Sequence, residues 1–255
     1  MTTKSLRALK GERPIVALTA YDFPTAVHAD EAGVDLLLVG DSVGTTVLGH
    51  PNTIPVTVED MRHHAAAVLR ALPEALVVVD LPFGEASFGR DRVLEVCRDF
   101  LRLGAGAVKL EGGREQEELR GFLVEAGIPV IGHIGLLPQQ VAVEGGYHRR
   151  GSRPGEEDAL LADAASVERS GCFACIGELI DAGVAGRIRE HLGIPFIGIG
   201  CGPDCDGQIL VCHDILGMGP DDPPGFAKVY AELGTQVRRA FEAYRDEVRS
   251  GRFPS

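Results

Sequence analysis

The sequence predicts a (β/α)8 barrel, read as a single domain spanning residues 1–255. Three observations carry that expectation. Short apolar runs alternate with helical patterns at roughly 30-residue spacing, about eight times over. Several runs, such as Leu36–Val39 and Ala75–Val79, are apolar at every position, as in strands buried on both faces of a parallel sheet. Run after run also ends in an ionisable residue, at the edge where barrels and doubly wound sheets place their chemistry. A doubly wound open sheet is the second choice. Its dinucleotide fingerprint would follow the first strand, and that turn reads TAYDFP instead.

Taken in order, residues 1–13 form a helical or irregular lead-in, and Pro14–Ala20 is the first strand, ending at Tyr21-Asp22. Phe23–Ala32 is helical and stops at Gly33. Leu36–Val39 is the second strand, closed by Gly40-Asp41, and a Gly- and Thr-rich loop follows it. Thr57–Asp60 has the form of a capping box opening a helix that runs to about Leu72. The third strand ends at Asp80, and Arg92–Leu103 is helical, stopped by Gly104. Gly106–Leu110 is the fourth strand, closed by Glu111-Gly112-Gly113, and the charged stretch Arg114–Ala126 is helical. Ile128–Ile131 is the fifth, followed by Gly132-His133. Gly135–Glu156 is a long loop, whose length makes it a lid candidate. A helix over Glu157–Ser170 leads to a weak sixth strand, Phe173–Gly177, ending at Glu178. A helix to His191 precedes the seventh strand, Ile194–Ile199, and Gln208–Cys212 is the eighth. The chain closes with a long amphipathic helix over Phe226–Ser250.

Composition narrows the functional classes. A net charge of −12 and a pI near 5.1 argue against nucleic acid or an anionic membrane as the main partner. No apolar run reaches the ~18 residues of a membrane span, and MTTKSLRALK lacks the apolar core of a secretory signal. The expectation is a soluble cytoplasmic protein. Of six cysteines, Cys172 and Cys175 have C-x-x-C spacing, with Cys201 and Cys205 as a further pair. On a strand, spacing three sends side chains to opposite faces, so free buried thiols are expected rather than zinc or a redox pair. Gly198-Ile199-Gly200-Cys201-Gly202 is left as a candidate phosphate-binding turn.

Asp41, Asp80, Glu111, His133 and Glu178 occupy equivalent places after strands two to six, and Lys109 lies two residues before Glu111. One such residue is commonly a helix cap or a salt-bridged tip. Five converging on one axis are harder to explain that way, because like charges without a partner destabilise one another. A hard cation resolves the conflict, and oxygen donors point to Mg2+. Such an ion suits a chelating small 2-oxo acid and stabilises charge on its oxo oxygen when a base removes the neighbouring proton. Glu178 is the natural base. Lys109 can neutralise developing charge, with a Schiff-base role open. His133 could hold the substrate or relay protons, or be a satisfied structural histidine.

These residues sit in stretches that resemble the ketopantoate hydroxymethyltransferase family, of the phosphoenolpyruvate/pyruvate barrel group. The similar stretches are TAYD at Thr19–Asp22, LLLVGDSVG at Leu36–Gly44, LGH at Leu48–His50, IPVTVEDM at Ile54–Met61 and VVVDLPF at Val77–Phe83. GAVKLEGG at Gly106–Gly113, IPVIGHIGLLPQ at Ile128–Gln139, IPFIGIGCG at Ile194–Gly202 and DGQILVCHD at Asp206–Asp214 complete the set. Such enzymes transfer a one-carbon unit from 5,10-methylenetetrahydrofolate to 3-methyl-2-oxobutanoate, giving 2-dehydropantoate for pantothenate and coenzyme A. The resemblance implies Asp41 and Asp80 as Mg2+ ligands, Glu111 as a third metal-associated carboxylate, and Ser42 and Lys109 as oxo-acid contacts. It implies Glu178 as general base, His133 as the motif histidine, and a homodecamer. A folate-independent aldolase or C–C lyase on another 2-oxo acid is the alternative, and a non-catalytic barrel the third.

Around the base, the family's usual LVLECVP is here Cys175-Ile176-Gly177-Glu178-Leu179-Ile180-Asp181. Strand alternation sends Gly177 to the barrel wall and Glu178 to the site. Leu179, Ile180 and Asp181 are expected to line the pocket, with Asp181 disfavouring an apolar branch on the acceptor. Restoring the common residues at 177 and 180–181 is then expected to raise activity on 3-methyl-2-oxobutanoate. GGYK becomes Gly145-Gly146-Tyr147-His148, GHDST becomes His50-Pro51-Asn52-Thr53 after its glycine, and GAG becomes Gly200-Cys201-Gly202.

Overall fold

The computed structural model describes residues 1–219 and 221–254. Eight parallel strands close into a barrel in sequence order: β1 (Ile15–Thr19), β2 (Leu36–Val39), β3 (Leu76–Asp80), β4 (Ala107–Glu111), β5 (Val130–Gly135), β6 (Ala174–Glu178), β7 (Phe196–Ile199) and β8 (Gly207–Leu210). Closure is local. The Ile15 N–H donates to the Asp206 carbonyl at 2.9 Å, and Gly207 lies so near that a Cβ there would meet the Ile15 oxygen at 2.4 Å. β2, β3 and β4 are buried at every position, which is why their apolar runs show no alternation, whereas β1 and β8 alternate, with Val16 and Gln208 exposed.

Two compact units, Met1–Ile209 and Leu210–Ser255, make up the chain that the sequence reading took as one domain. In the first, α1 (Thr3–Arg7) brings Leu6 into a core cluster with Ile15, Ala17, Leu36, Leu38, Leu76, Val78, Ala107, Ile131, Ala174, Ile176 and Ile197. These are the alternate residues of successive strands, and they fill the barrel as a packed core. Continuing the same alternation upward replaces Leu76–Val78 by Asp80, Ala107 by Lys109 and Glu111, Ile131 by His133, and Ala174–Ile176 by Glu178. The expected polar tips thus form the top layers of the barrel interior.

The outer helices are α2 (Phe23–Glu31), α4 (Val58–Leu69), α5 (Arg90–Leu103), α6 (Glu117–Glu125), α8 (Glu156–Arg169) and α9 (Ala182–His191), with a short α3 (Val43–Thr46) inside the loop after β2. Thr57 and Asp60 form the expected capping box on α4. Several boundaries differ from the expectation. β5 continues to Gly135, so His133 lies within the strand. Gly132 permits this, because a Cβ there would sit 2.5 Å from Val167 of α8, the helix packed on that strand. The segment Gly135–Glu156 is structured in part, with a 3-10 turn at Pro138–Gln140, α7 (Val141–Glu144), and a parallel bridge between Arg150 and Ile180. β7 begins at Phe196, after Pro195, a residue with no N–H for a ladder.

In the second unit, Cys212 opens α10 (Cys212–Leu216) rather than ending the eighth strand, and α11 is Leu233–Arg249, shorter at its start than expected. Val237, Phe241, Tyr244 and Val248 recur along one side of α11 and are exposed. Among the described residues, no helix is long and apolar enough to cross a membrane.

Candidate active site

At the top of the barrel, Gly40 lets two strands converge. A Cβ on it would stand 2.9 Å from Ser42 Oγ and 3.4 Å from Asp80 Oδ2. The Asp41 N–H donates to Asp80 Oδ2 at 3.0 Å, so the two carboxylates are paired through backbone. Asp80 is in register with Lys109, whose Nζ lies 2.9 Å from Asp80 Oδ1 and 3.5 Å from Glu111 Oε1. Glu111 is in register with His133, and Gly135 with Glu178. The His133 Nδ1 is 3.1 Å from Lys109 Nζ, and its Nε2 is 3.3 Å from Glu178 Oε2. With Lys109 an ammonium, Nδ1 accepts from it, while the buried Nε2 faces Glu178 without a hydrogen bond.

The charges in this cluster determine one another. Burial alone would favour the neutral amine of Lys109, but Asp80, Glu111 and Asp41 more than offset it and raise the pKa, keeping the ammonium. Lys109 therefore stands as a positive charge among these carboxylates. Burial also opposes the charge on Glu111, yet Lys109 and His133 hold its pKa at about 2. Asp41 is pushed well above the ordinary carboxylate range by burial, Asp80 and Glu111. Asp80 is raised by burial, with Lys109 opposing and Glu111 assisting. Burial and Lys109 work against protonation of His133, and contacts with Glu111 and Glu178 outweigh them, so its pKa rises. Two buried aspartates side by side without enough compensating charge are a place where a cation fits.

The chemistry of the donors fits a hard ion. Asp80 Oδ1 is buried, and beyond its ion pair with Lys109 it has no hydrogen bond. Among the described residues, no three His, Cys, Asp or Glu side chains gather as a ready-made cage. Asp41 and Asp80 offer a pair, while Glu111 is drawn to Lys109, His133 and a backbone N–H. Mg2+ commonly takes one or two protein carboxylates and leaves its other positions to water and substrate. All six cysteines are free thiols, and burial raises the pKa of Cys97, Cys172, Cys175, Cys201 and Cys205, which makes them inert.

Three residues near these groups carried no role in the sequence reading. Gln139 donates from Nε2 to Asp41 Oδ2 at 2.9 Å. The Tyr21 hydroxyl lies 2.7 Å from Ser42 Oγ, placing a second hydroxyl beside the predicted substrate contact. The pKa of the half-exposed Tyr147 phenol is raised by burial and by the charges of Glu178, Asp41 and Glu111. A Gln, a Tyr after a strand and a Tyr in a glycine-rich loop carry no spacing signal of their own.

The segment after Glu178 departs from expectation. Asp181 does not turn to the substrate. Its carboxylate caps α9, accepting from the N–H groups of Gly183 at 2.9 Å and Val184 at 3.3 Å. Ile180 is fully buried. Leu179 has φ +48°, a left-handed conformation that strains a leucine by about 1–2 kcal/mol. Hydrogen bonds overdetermine it, from its N–H to Ile199 O and from the Arg150 N–H to its carbonyl. The Arg149 Nη1 adds bonds to the carbonyls of Ile180 and Gly200, each 2.9 Å. Cys201 donates to the Gly177 carbonyl and accepts from the Ile180 N–H. The glycine turn after β7 therefore serves to seat the base's strand.

A family model for ketopantoate hydroxymethyltransferase matches residues 1–255. The 3-methyl-2-oxobutanoate hydroxymethyltransferase of Thermotoga maritima is 48% identical over 255 residues, covering 100% of this chain and 94% of that protein. The protein of the same name from Oleidesulfovibrio alaskensis is 49% identical over 256 residues, covering 100% and 89%. Among solved structures, phosphonopyruvate hydrolase in complex with oxalate and Mg++ aligns with a TM-score of 0.65 at 14% identity, covering 98% of this chain and 88% of that one. A 2,3-dimethylmalate lyase of the PEP mutase/isocitrate lyase superfamily aligns at 0.63 with 19% identity and the same coverages. The structures share the barrel fold; the sequence match over the full length shows that this chain belongs to the ketopantoate hydroxymethyltransferase family.

Proposed function

We propose that this enzyme transfers a hydroxymethyl group to 3-methyl-2-oxobutanoate, giving 2-dehydropantoate, with 5,10-methylenetetrahydrofolate as one-carbon donor. The observation that carries the reading is the meeting of the Asp41–Asp80 pair with Glu178 across Lys109 and His133. Asp41 and Asp80 would hold Mg2+, with Glu111 as an outer carboxylate, and the ion when bound would supply a Lewis acid for the oxo group. Lys109 and Ser42 bind and orient the oxo acid, the former through its permanent charge. Glu178 takes the proton from C3, with His133 Nε2 standing 3.3 Å from its Oε2. Burial keeps water from Asp41, Asp80, Lys109, Glu111 and His133, which strengthens each electrostatic contact.

Further expectations belong to the same reading. A cytoplasmic location suits six free thiols. A homo-oligomer, the decamer of the family resemblance, would give the exposed stripe on α11 a partner surface. The decisive assay incubates the enzyme with Mg2+ and a panel of 2-oxo acids in D2O, following deuterium at C3, then adds the folate donor and measures 2-dehydropantoate. Exchange without folate-dependent product identifies an aldolase or lyase instead. Absence of both excludes the proposed chemistry.

A further inference from the structure

Gln139 stands in the 3-10 turn after β5, yet it holds parts of three other strand ends. Its side-chain amide has two hydrogens and uses both, on Asp41 Oδ2 at 2.9 Å and on the Leu81 carbonyl at 2.9 Å. Its backbone N–H donates to Glu111 Oε2 at 3.2 Å. Rotating the amide breaks two bonds at once, so its direction is fixed. In consequence Asp41 Oδ2 faces the amide, which occupies one of its lone pairs and fixes how the carboxylate is turned. Asp80 is held at both oxygens, Oδ2 by the Asp41 N–H at 3.0 Å and Oδ1 by the Lys109 ammonium at 2.9 Å.

A carboxylate held by one oxygen presents a point rather than an edge. Mg2+ and ions of its size take octahedral sites with few carboxylates, whereas Ca2+ takes six to eight oxygens and often both oxygens of one carboxylate. We infer that Gln139 is a positioning residue that keeps Asp41 a one-oxygen donor and thereby sets the site's preference for a small octahedral cation over Ca2+. The inference rests on the metal reading proposed above.

The test uses the full-length protein stripped with chelator, with Mn2+ as the spectroscopic probe. Free Mn2+ is followed by electron paramagnetic resonance, and Ca2+ and Mg2+ compete for the site. Gln139→Met keeps the length of the side chain and donates nothing. Its Mn2+ Kd is expected to rise about 10–100-fold, the usual cost of losing an outer partner, while Ca2+ competition changes far less. The KM for Mg2+ rises in parallel, and kcat returns at saturating Mg2+. Gln139→Glu, the second variant should the first misfold, adds an oxygen and is expected to shift the Mn2+:Ca2+ ratio the same way through tighter Ca2+ binding. An unchanged ratio in the folded variants overturns the inference and leaves Gln139 a structural tie. Asp41→Asn separates the two levels. If it binds Mn2+ like the parent, the metal reading fails; if it loses Mn2+ while the Gln139 variants keep the parent's ratio, only the inference fails.

Discussion

Gly177→Ala tests how Glu178, the proposed base, is carried. A Cβ at Gly177 would lie 2.3 Å from Phe196 Cζ, 2.7 Å from Phe196 Cε2 and 3.2 Å from Ile180 Cδ1. Ordinary contact begins near 3.4 Å, so the methyl overlaps the ring by more than an ångström. Neither neighbour can yield into solvent, since Phe196 and Ile180 are both 0% exposed. Overpacking of this kind costs about 1–3 kcal/mol, and the depth of overlap places it in the upper half. Gly177 has no left-handed φ, so alanine also restricts the unfolded chain and returns about 0.4–1 kcal/mol. The net expectation is a loss of about 1–2.5 kcal/mol. Urea unfolding followed by far-ultraviolet circular dichroism measures it, the chain having no tryptophan. Phe196→Leu removes the colliding end of the ring, so the double variant is expected to be more stable than the two single losses predict, by about 1 kcal/mol. A stable Gly177→Ala protein, or a strictly additive cycle, would refute the packing account. The same overlap bears on substrate choice: the larger residue usual in the family at position 177 needs a change at 196 before it can raise activity.

Other perturbations read different parts of the molecule. Glu178→Gln is expected to retain substrate binding and lower C3 deuterium exchange about 10²–10⁴-fold; undiminished exchange moves the base to His133. Asp41→Ala and Asp80→Ala are each expected to abolish tight Mg2+ binding in a titration, and parental affinity in either would reject that residue as a ligand. Arg120→Met removes a fully buried cation that donates to the carbonyls of Gly112 and Gly113 and to Ser166 and Ser170 Oγ, directly behind Glu111. It should cost about 3 kcal/mol or more in unfolding free energy, because several buried acceptors lose their donor together; a loss below about 1 kcal/mol would show that water replaces the guanidinium. Burial opposes the charge on Asp35, but the Arg13 fork and the Val16 N–H prevail and lower its pKa. That stabilisation is fully present above about pH 4 and fades as pH falls through the lower folded value. Arg13→Met should therefore narrow the difference between neutral and acid stability, and an unchanged acid limb would remove the pair from the acid transition.

The periodicity of this chain determined its barrel because most strands are buried on both faces and the helices on one, so the pattern of apolar residues is itself the topology. The polar tips were legible for the same reason: Asp41, Asp80, Glu111 and Glu178 interrupt runs that have no other cause to stop in a carboxylate. The extent of β5 was hidden, since Gly132 and His133 look like a turn until Val167 is seen against the strand. Asp181 was misread because a carboxylate near a base and one that caps a helix have the same sequence; only the position of the α9 N–H groups distinguishes them. Gln139 gave no signal, since a polar side chain in a loop is unremarkable until two strand ends are brought within its reach. The protonation of Lys109 likewise depends on three carboxylates from three strands. Sequence determines what each residue can donate, accept or bury, whereas hydrogen bonds and charges depend on separations of a few ångströms between residues far apart in the chain, which the closed barrel alone decides.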